Sequence, residues 1–117
     1  MNVLNDYKVR FYEKKFFNRN FKLISTINDD LTGYIMDYDT MPKVNQLLND
    51  ITAVLSNDYS LGGGQTQSMY LARITSIETK IYQDIEVWEQ DNNIQADFIL
   101  PSADLKVIVE AWKDYLQ

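Results

Sequence analysis

The N-terminal part of the chain alternates between apolar and polar side chains, as a β-strand with one solvated face does. In the segment YKVRFYEK, Val9 and Phe11 fall on one side of the predicted strand. The opposite side carries Lys8, Arg10 and Tyr12. The segment FNRN is turn-like and FKLISTIN continues with weaker alternation, so the sequence predicts an N-terminal β-hairpin.

Apolar residues recur with the 3.6-residue period of an α-helix between residues 41 and 56. The apolar stripe consists of Val44, Leu47, Leu48, Ile51 and Leu55. Thr40 is suited to the N-cap, and Pro42 in the first turn removes no hydrogen bond that the helix needs. The sequence therefore predicts an amphipathic helix over residues 41–56.

The same helical period returns at the end of the chain, after Pro101. The buried stripe is predicted to consist of Leu105, Ile108, Val109, Trp112 and Leu116. Ser102 is predicted to cap this helix, and Lys113 near its end suits the helix dipole. This segment is the second predicted amphipathic helix.

The segment between these helices, SMYLARITSIETKIYQDIEVWEQ, is rich in the Ile, Tyr, Thr and Val that strands favour. We predict two strands that divide near residues 78–80; one long bent strand, or a helix through the first half, is the alternative. In the second strand Ile81, Ile85 and Val87 share one face. Two further strands are predicted, a short one around residues 34–36 and a later one in IQADFILP.

The order of these elements, strands, helix, strands and helix, defines the fold class that we expect. It predicts a single α+β domain over residues 1–117. In this domain an antiparallel sheet of about five strands carries two amphipathic helices packed on one face.

Three consecutive glycines, Gly62–Gly64, stand in the segment DYSLGGGQTQS. A phosphate-binding loop follows a strand, precedes a helix and usually contains a lysine and a hydroxyl group. This segment instead follows a predicted helix, precedes a predicted strand and contains no lysine. We therefore predict a flexible connector, with contact to a partner as the alternative.

The amino-acid composition excludes several kinds of chemistry. The chain contains no cysteine and no histidine, which removes disulfides, the commonest general base and the usual zinc ligands. We predict no catalytic residues, no cofactor and no metal site. No apolar leader or membrane-spanning run is found in the sequence, so a cytoplasmic protein without a membrane partner is expected.

Charge is unevenly distributed along the chain, whose formal net charge is −6. Residues 1–28 carry six basic and two acidic side chains, a net of +4. Residues 29–117 carry five basic and fifteen acidic side chains, a net of −10. A protein this acidic is poorly suited to nucleic acid, and a basic protein is the more plausible partner.

One spacing suggests an alternative, enzymatic interpretation. Asp58, Glu78 and Lys80 resemble the metal-binding core of the PD-(D/E)xK nucleases, in which two carboxylates hold Mg²⁺ and a lysine helps to activate water. On a strand, Glu78 and Lys80 would point the same way. No proline precedes Asp58, however, and a glycine-rich segment separates it from the other two residues.

A mixed row of aromatic and acidic side chains is the predicted partner-binding site. On the second strand, one face would carry Tyr82, Asp84, Glu86 and Trp88. Glu89 and Asp91 follow directly. Aromatic side chains supply contact area and the acids select a basic partner. The alternative is that the two aromatic residues pack beneath other elements while the acids are solvated.

The closing segment ADFILPSADLKVIVEAWKDYL resembles the C-terminal unit of many small acidic bacterial proteins. Among these are immunity proteins of polymorphic and contact-dependent growth-inhibition toxin systems. The resemblance implies a stoichiometric inhibitor that binds a cognate toxin, often a basic nuclease domain, without catalysis or cofactor. A general protein-interaction or structural domain remains the second interpretation.

Overall fold

The computed structural model describes residues 2–117, which form five helices and six strands. The helices are α1 (Val3–Asp6), α2 (Asp29–Met36), α3 (Met41–Leu55), α4 (Ile85–Gln90) and α5 (Ser102–Leu116). The strands are β1 (Arg10–Phe16), β2 (Arg19–Ser25), β3 (Gly62–Gln65), β4 (Leu71–Ile74), β5 (Glu78–Tyr82) and β6 (Phe98–Pro101). None of the helices in this part of the chain is long and apolar enough to cross a membrane.

The strands form two separate antiparallel sheets. β1 and β2 pair as a hairpin, from Arg10 opposite Ser25 to Phe16 opposite Arg19 at the turn. The other four strands pair in chain order, β3-β4-β5-β6. The α+β class and the N-terminal hairpin are therefore confirmed, but the single sheet of about five strands is wrong.

The hairpin stays apart from the larger sheet because the apolar residues at its base contact a helix instead. Phe11 stacks on Trp112 and Tyr115 of α5, with ring centroids 6.1 and 5.1 Å away. Ile24 of β2 is buried in the same core. The base of the hairpin is thus held by α5, and neither of its strands pairs with the four-stranded sheet.

The hydrophobic core lies between the four-stranded sheet and helices α2, α3 and α5. The sheet contributes Ala72, Ile74, Ile81 and Leu100 to it. Trp112 is completely buried in this core, and its indole N–H donates a hydrogen bond to the Tyr38 carbonyl at 2.8 Å. That bond satisfies the polar atom of the largest buried side chain.

The two predicted amphipathic helices are confirmed as α3 and α5. In α3, Thr40 occupies the N-cap position, although its side chain makes no capping hydrogen bond. The predicted stripes face the core: the fully or nearly fully buried members are Val44, Leu47, Ile51, Leu105, Ile108, Val109 and Trp112. The prediction of only two helices is wrong, because α1, α2 and α4 also form.

Helix α2 replaces the short strand that the sequence predicted around residues 34–36. Asn28 caps this helix, since its side-chain oxygen accepts hydrogen bonds from the backbone N–H groups of Asp30 and Leu31. Leu31, Tyr34 and Ile35 are all buried, which is the i, i+3, i+4 spacing of a helix face. The strand-like composition of this segment was therefore overridden by its cap and its packing.

Ser102 does not cap α5 as predicted. It is the first helical residue, and Pro101 occupies the N-cap position. The buried Ser102 hydroxyl donates to the Thr75 carbonyl at 2.6 Å and lies 2.9 Å from the Thr79 hydroxyl. The side chain therefore joins the helix to the sheet instead of closing the helix end.

The glycine-rich segment forms the edge strand β3 and is not the flexible connector that we predicted. Gly63 has a φ of +89°, and a side chain there would collide with the backbone carbonyl of Ala72 on β4. Its N–H donates to the Asp50 carboxylate of α3 at 2.7 Å. Glycine is required because the strand lies against a neighbouring backbone and adopts positive φ.

Candidate protein-binding surface

The row predicted from the sequence is not a strand face. Tyr82 is the last residue of β5 and is 5 % exposed. Asp84 caps α4, because its carboxylate accepts the backbone N–H of Glu86 at 2.9 Å. The chain therefore turns into a helix after β5, and the predicted strand alignment of Tyr82, Asp84, Glu86 and Trp88 is wrong. The shared face of Ile81, Ile85 and Val87 fails for the same reason.

The two aromatic residues of the row nevertheless lie together. Trp88 is half-buried on α4, and its ring centroid is 6.4 Å from that of the buried Tyr82. The guanidinium of Arg73 lies 5.0 Å from the Trp88 ring centroid, which is a cation–π contact. The buried Tyr82 ring thus packs against Trp88, and Trp88 keeps part of its surface in solvent.

The acidic members of the row are exposed on and around α4. These are Asp84, Glu86, Glu89 and Asp91. Helix α4 carries no basic residue in its last turn. They form an anionic surface beside Trp88, and their contact with a partner stays a prediction.

A second group of acidic residues surrounds Tyr70, and the sequence reasoning missed it. Tyr70 lies against Gly33 in the middle of α2, where the tyrosine hydroxyl occupies the space that a side chain would fill. Asp30 and Asp37 lie on the same side of α2, three residues before and four residues after Gly33. We call Tyr70 with Asp29, Asp30, Asp37 and Asp97 the Tyr70 patch.

Two groups of this patch, Asp30 and Tyr70, have raised pKa values. Burial raises the pKa of Asp30, and the carboxylates of Asp97 and Asp29 raise it further. Burial also raises the pKa of Tyr70, followed by the charges of Asp30, Asp37, Asp29 and Asp97. The charges of Asp97 and Asp29 thus act on Asp30, and the charges of all four aspartates act on the Tyr70 phenol.

Hydrogen bonds hold the patch in place and join it to the α4 surface. Asp37 accepts the hydroxyl of Ser68 at 2.6 Å. Asp97 accepts the backbone N–H of Gln83 at 2.7 Å, directly before the α4 cap. Met69, the residue before Tyr70, accepts the N–H of Ile85 at 2.8 Å through its carbonyl. The Tyr70 patch and α4 thus form one anionic surface.

The acids of this surface outnumber the cations near it, which are Arg73 at the Trp88 ring and Lys43, a residue that lines one pocket together with Asp37. One ion pair forms within residues 2–117: the Lys43 ammonium lies 3.2 Å from the carboxylate of Asp39, four residues earlier. No carboxylate of the Tyr70 patch or of α4 takes part in an ion pair in this part of the chain. The anionic field is therefore open to an external cation.

The nuclease-like residues are only partly brought together. Glu78 and Lys80 line one shallow pocket on β5, with Arg73 and Thr75, so the predicted common direction of these two side chains is confirmed. Asp58 does not line this pocket. The described residues contain no group of three or more His, Cys, Asp or Glu side chains placed to hold a metal ion.

Comparison of the chain with protein-family models, with curated proteins and with solved structures finds no match.

Proposed function

We propose that the protein is an immunity-type inhibitor that binds a basic bacterial toxin, of the nuclease class, through its anionic surface. The observation that carries the proposal is the Tyr70 patch, in which one partly buried tyrosine packs on α2 within the field of four aspartates, none of which is paired with a cation among residues 2–117. Keeping such charges together opposes folding, so the arrangement is better explained by binding than by stability.

The charge would act first, by directing a basic partner to this side of the molecule. Complementary fields raise association rates, and added salt screens them. Tyr70 and the exposed part of Trp88 would then supply aromatic contact area, which slows dissociation. The inhibitor needs no cofactor and no catalytic residue of its own.

The residues assigned to the interface differ in role from the original strand row. Asp84, Glu86, Glu89 and Asp91 face solvent and remain direct contacts in the proposal. Tyr82 becomes a supporting residue, since it is buried beneath Trp88. Asp30, Asp97 and Tyr70 are added as direct contacts.

The test uses a candidate basic toxin domain from a neighbouring gene and measures binding to it, together with protection of growth when both are expressed. We expect Asp30→Asn combined with Asp97→Asn to slow association about tenfold at low salt, because two steering charges are lost. The amide introduced by Asp97→Asn keeps an oxygen that can accept the Gln83 N–H. Surface binding kinetics at low and physiological salt would measure the change.

The matched control is Glu110→Gln combined with Asp114→Asn, which removes the same charge from exposed positions on α5. The control should associate almost as fast as the wild type. If both double variants slowed association equally, the effect would come from net charge and not from the position of the patch. No binding and no protection by the wild type would overturn the proposal.

A further inference from the structure

The β1–β2 hairpin projects from the rest of the molecule. Residues 12–21, which include the turn, are all exposed. Only the base of the hairpin contacts the core, through Phe11 and Ile24. Contacts within the described chain therefore do not explain why the outer half of the hairpin carries these side chains.

The outer half is positively charged, although it contains one acid, Glu13, which lies on β1 opposite Lys22. Residues 14–28 include Lys14, Lys15, Arg19 and Lys22 and no Asp or Glu. Lys22 has a structural role, because its ammonium donates to the Tyr115 carbonyl at 2.9 Å. The other three cations face solvent near the hairpin tip.

Aromatic rings alternate with these cations on one face of the hairpin. Phe16 pairs with Arg19 across the strands, and Lys14 pairs with Phe21. The Phe16 and Phe21 rings meet edge to face with centroids 5.9 Å apart. Lys14 lies 5.0 Å from the Phe16 centroid, and Arg19 lies 5.5 Å from the Phe21 centroid. Each cation therefore covers one face of a ring, and both rings keep part of their surface in solvent.

The tip itself is a phenylalanine in an unfavourable conformation. Phe17 has a φ of +48° and is 97 % exposed. The next residue, Asn18, has a φ of +65°, so the two form a tight turn of the kind that favours Asn and Gly. Positive φ strains a bulky residue, because its Cβ approaches the following carbonyl oxygen. Phe17 contributes no buried contact in return.

From these observations we infer that the hairpin tip docks on an anionic phospholipid surface, with Phe17 entering the interface and the flanking cations binding headgroup phosphates. Aromatic side chains are favoured at the boundary between headgroups and acyl chains, and basic clusters are attracted to anionic leaflets. This inference does not depend on the proposed toxin inhibition, and it differs from the sequence-based expectation of no membrane partner.

The geometry favours a flat anionic surface over nucleic acid. A nucleic-acid platform stacks successive bases on several open ring faces, but Lys14 and Arg19 each cover a face of Phe16 and Phe21 and leave Phe17 as the open ring of the tip. A strand of seven residues is about 23 Å long, while the screening length at physiological salt is about 8 Å. A surface touched only by the tip is therefore screened from the acidic remainder of the chain, whereas a nucleic acid lying along the molecule is not.

The experiment is co-sedimentation of the full-length protein with vesicles at physiological salt. One set contains phosphatidylcholine with about 30 % phosphatidylserine, which gives the anionic surface that basic clusters require. The other set contains phosphatidylcholine alone. We expect binding to the anionic vesicles and weak binding to the neutral ones.

Phe17→Asn tests the apolar tip without harming the fold, because Asn tolerates positive φ. We expect about a tenfold loss of partitioning, in keeping with removal of one inserted aromatic side chain. The control is Ile77→Asn, which removes an apolar side chain, 80 % exposed, between β4 and β5. That variant should bind like the wild type.

Lys15→Gln combined with Arg19→Gln tests the charges. Each cation near an anionic surface contributes about a fivefold factor in binding, so loss of the pair should weaken binding roughly 25-fold. Lys80→Gln combined with Lys106→Gln makes the same change in net charge away from the hairpin and should bind almost normally.

Equal binding to the two vesicle types, or unchanged binding by Phe17→Asn, would overturn the inference. It would also be overturned if a single-stranded RNA oligonucleotide bound more tightly than vesicles and lost binding in the same hairpin variants. Self-association that these variants abolish, without any vesicle binding, would instead assign the tip to a second copy of the chain.

Discussion

Tyr7 connects the two ends of the chain through a single hydrogen bond. It follows α1, and its hydroxyl donates to the Asp104 carboxylate in the first turn of α5 at 2.7 Å. Burial, then the hydrogen bond and the charge of Asp104, raise the pKa of Tyr7 from 10.0 to about 12. The folded state therefore binds the phenolic proton more tightly than the unfolded chain does.

This shift predicts a stability change at alkaline pH. A pKa raised in the folded state contributes stability that is complete below about pH 10 and is lost as the pH rises through about 12. We expect Tyr7→Phe to cost about 1 kcal/mol at pH 9, from loss of the hydrogen bond, and the difference from the wild type to shrink towards pH 12. Urea unfolding at a series of pH values would measure it.

Asp104→Asn is the informative companion variant. It keeps an oxygen that can accept the Tyr7 hydroxyl but removes the charge that helps to raise the folded-state pKa of Tyr7, so the alkaline loss of stability should be smaller and should be complete at a lower pH. Parallel pH profiles for Tyr7→Phe and the wild type would contradict the assignment.

Among the elements, the glycine strand β3 illustrates how backbone contact can replace side-chain packing. Gly63 and Gly64 both have positive φ, +89° and +132°. A Cβ on Gly63 would collide with the Ala72 carbonyl, whereas one on Gly64 would meet nothing within 4 Å. A side chain at Gly64 would therefore meet backbone strain alone, whereas one at Gly63 would meet both backbone strain and a collision.

We expect Gly63→Ala to destabilise the protein by about 2–4 kcal/mol, because strained backbone and a backbone collision act together. Gly64→Ala should cost about 1–3 kcal/mol, from backbone strain alone. Chemical denaturation of both variants measures the difference. Equal losses would show that the contact of β3 with β4 relaxes readily.

The elements that the sequence predicted well are those whose side chains repeat. The apolar residues of α3 and α5 repeat with a period of 3.6, and those of the hairpin alternate with a period of 2. The structure contains all three elements. Helix α4 was missed because Ile85, Val87 and Trp88 favour strands, and the Asp84 cap was the contrary signal. Strand β3 was missed because glycine has no side chain to alternate.

The candidate surface was harder to predict than the elements. Its residues come from α2, the segment before β4 and the segment before β6, so they meet only after the helices cover the sheet. The local signal was the spacing of Asp30, Gly33 and Asp37 on one side of α2. That spacing was hidden while the segment was assigned to a short strand.

At the level of the whole molecule, the two signs of charge are separated in space. The hairpin tip carries cations without acids, while the Tyr70 patch and α4 carry acids without ion pairs in residues 2–117. If the patch exists for binding, part of its charge should oppose stability.

Asp30→Asn tests this trade-off. The raised pKa of Asp30 means that its ionised form is disfavoured in the folded state, so the wild type should gain stability as the pH falls towards the unfolded value of about 4. At pH 7 we expect Asp30→Asn to be more stable by less than about 1 kcal/mol, since solvent screens this half-exposed group. Thermal unfolding at pH 7 and pH 4.5 would measure it, and a loss of stability at pH 7 would contradict the charge argument.

The two tryptophans lie in contrasting environments, so their fluorescence reports on different events. Trp112 is sealed in the core, whereas Trp88 lies half-covered beside the acidic helix α4. Fluorescence from the first should shift only when the chain unfolds, and fluorescence from the second should respond when a ligand covers α4. Replacing Trp88 with Phe leaves Trp112 as the fluorescent probe of folding, and the difference between the wild-type and variant spectra reports on Trp88 without a chemical label.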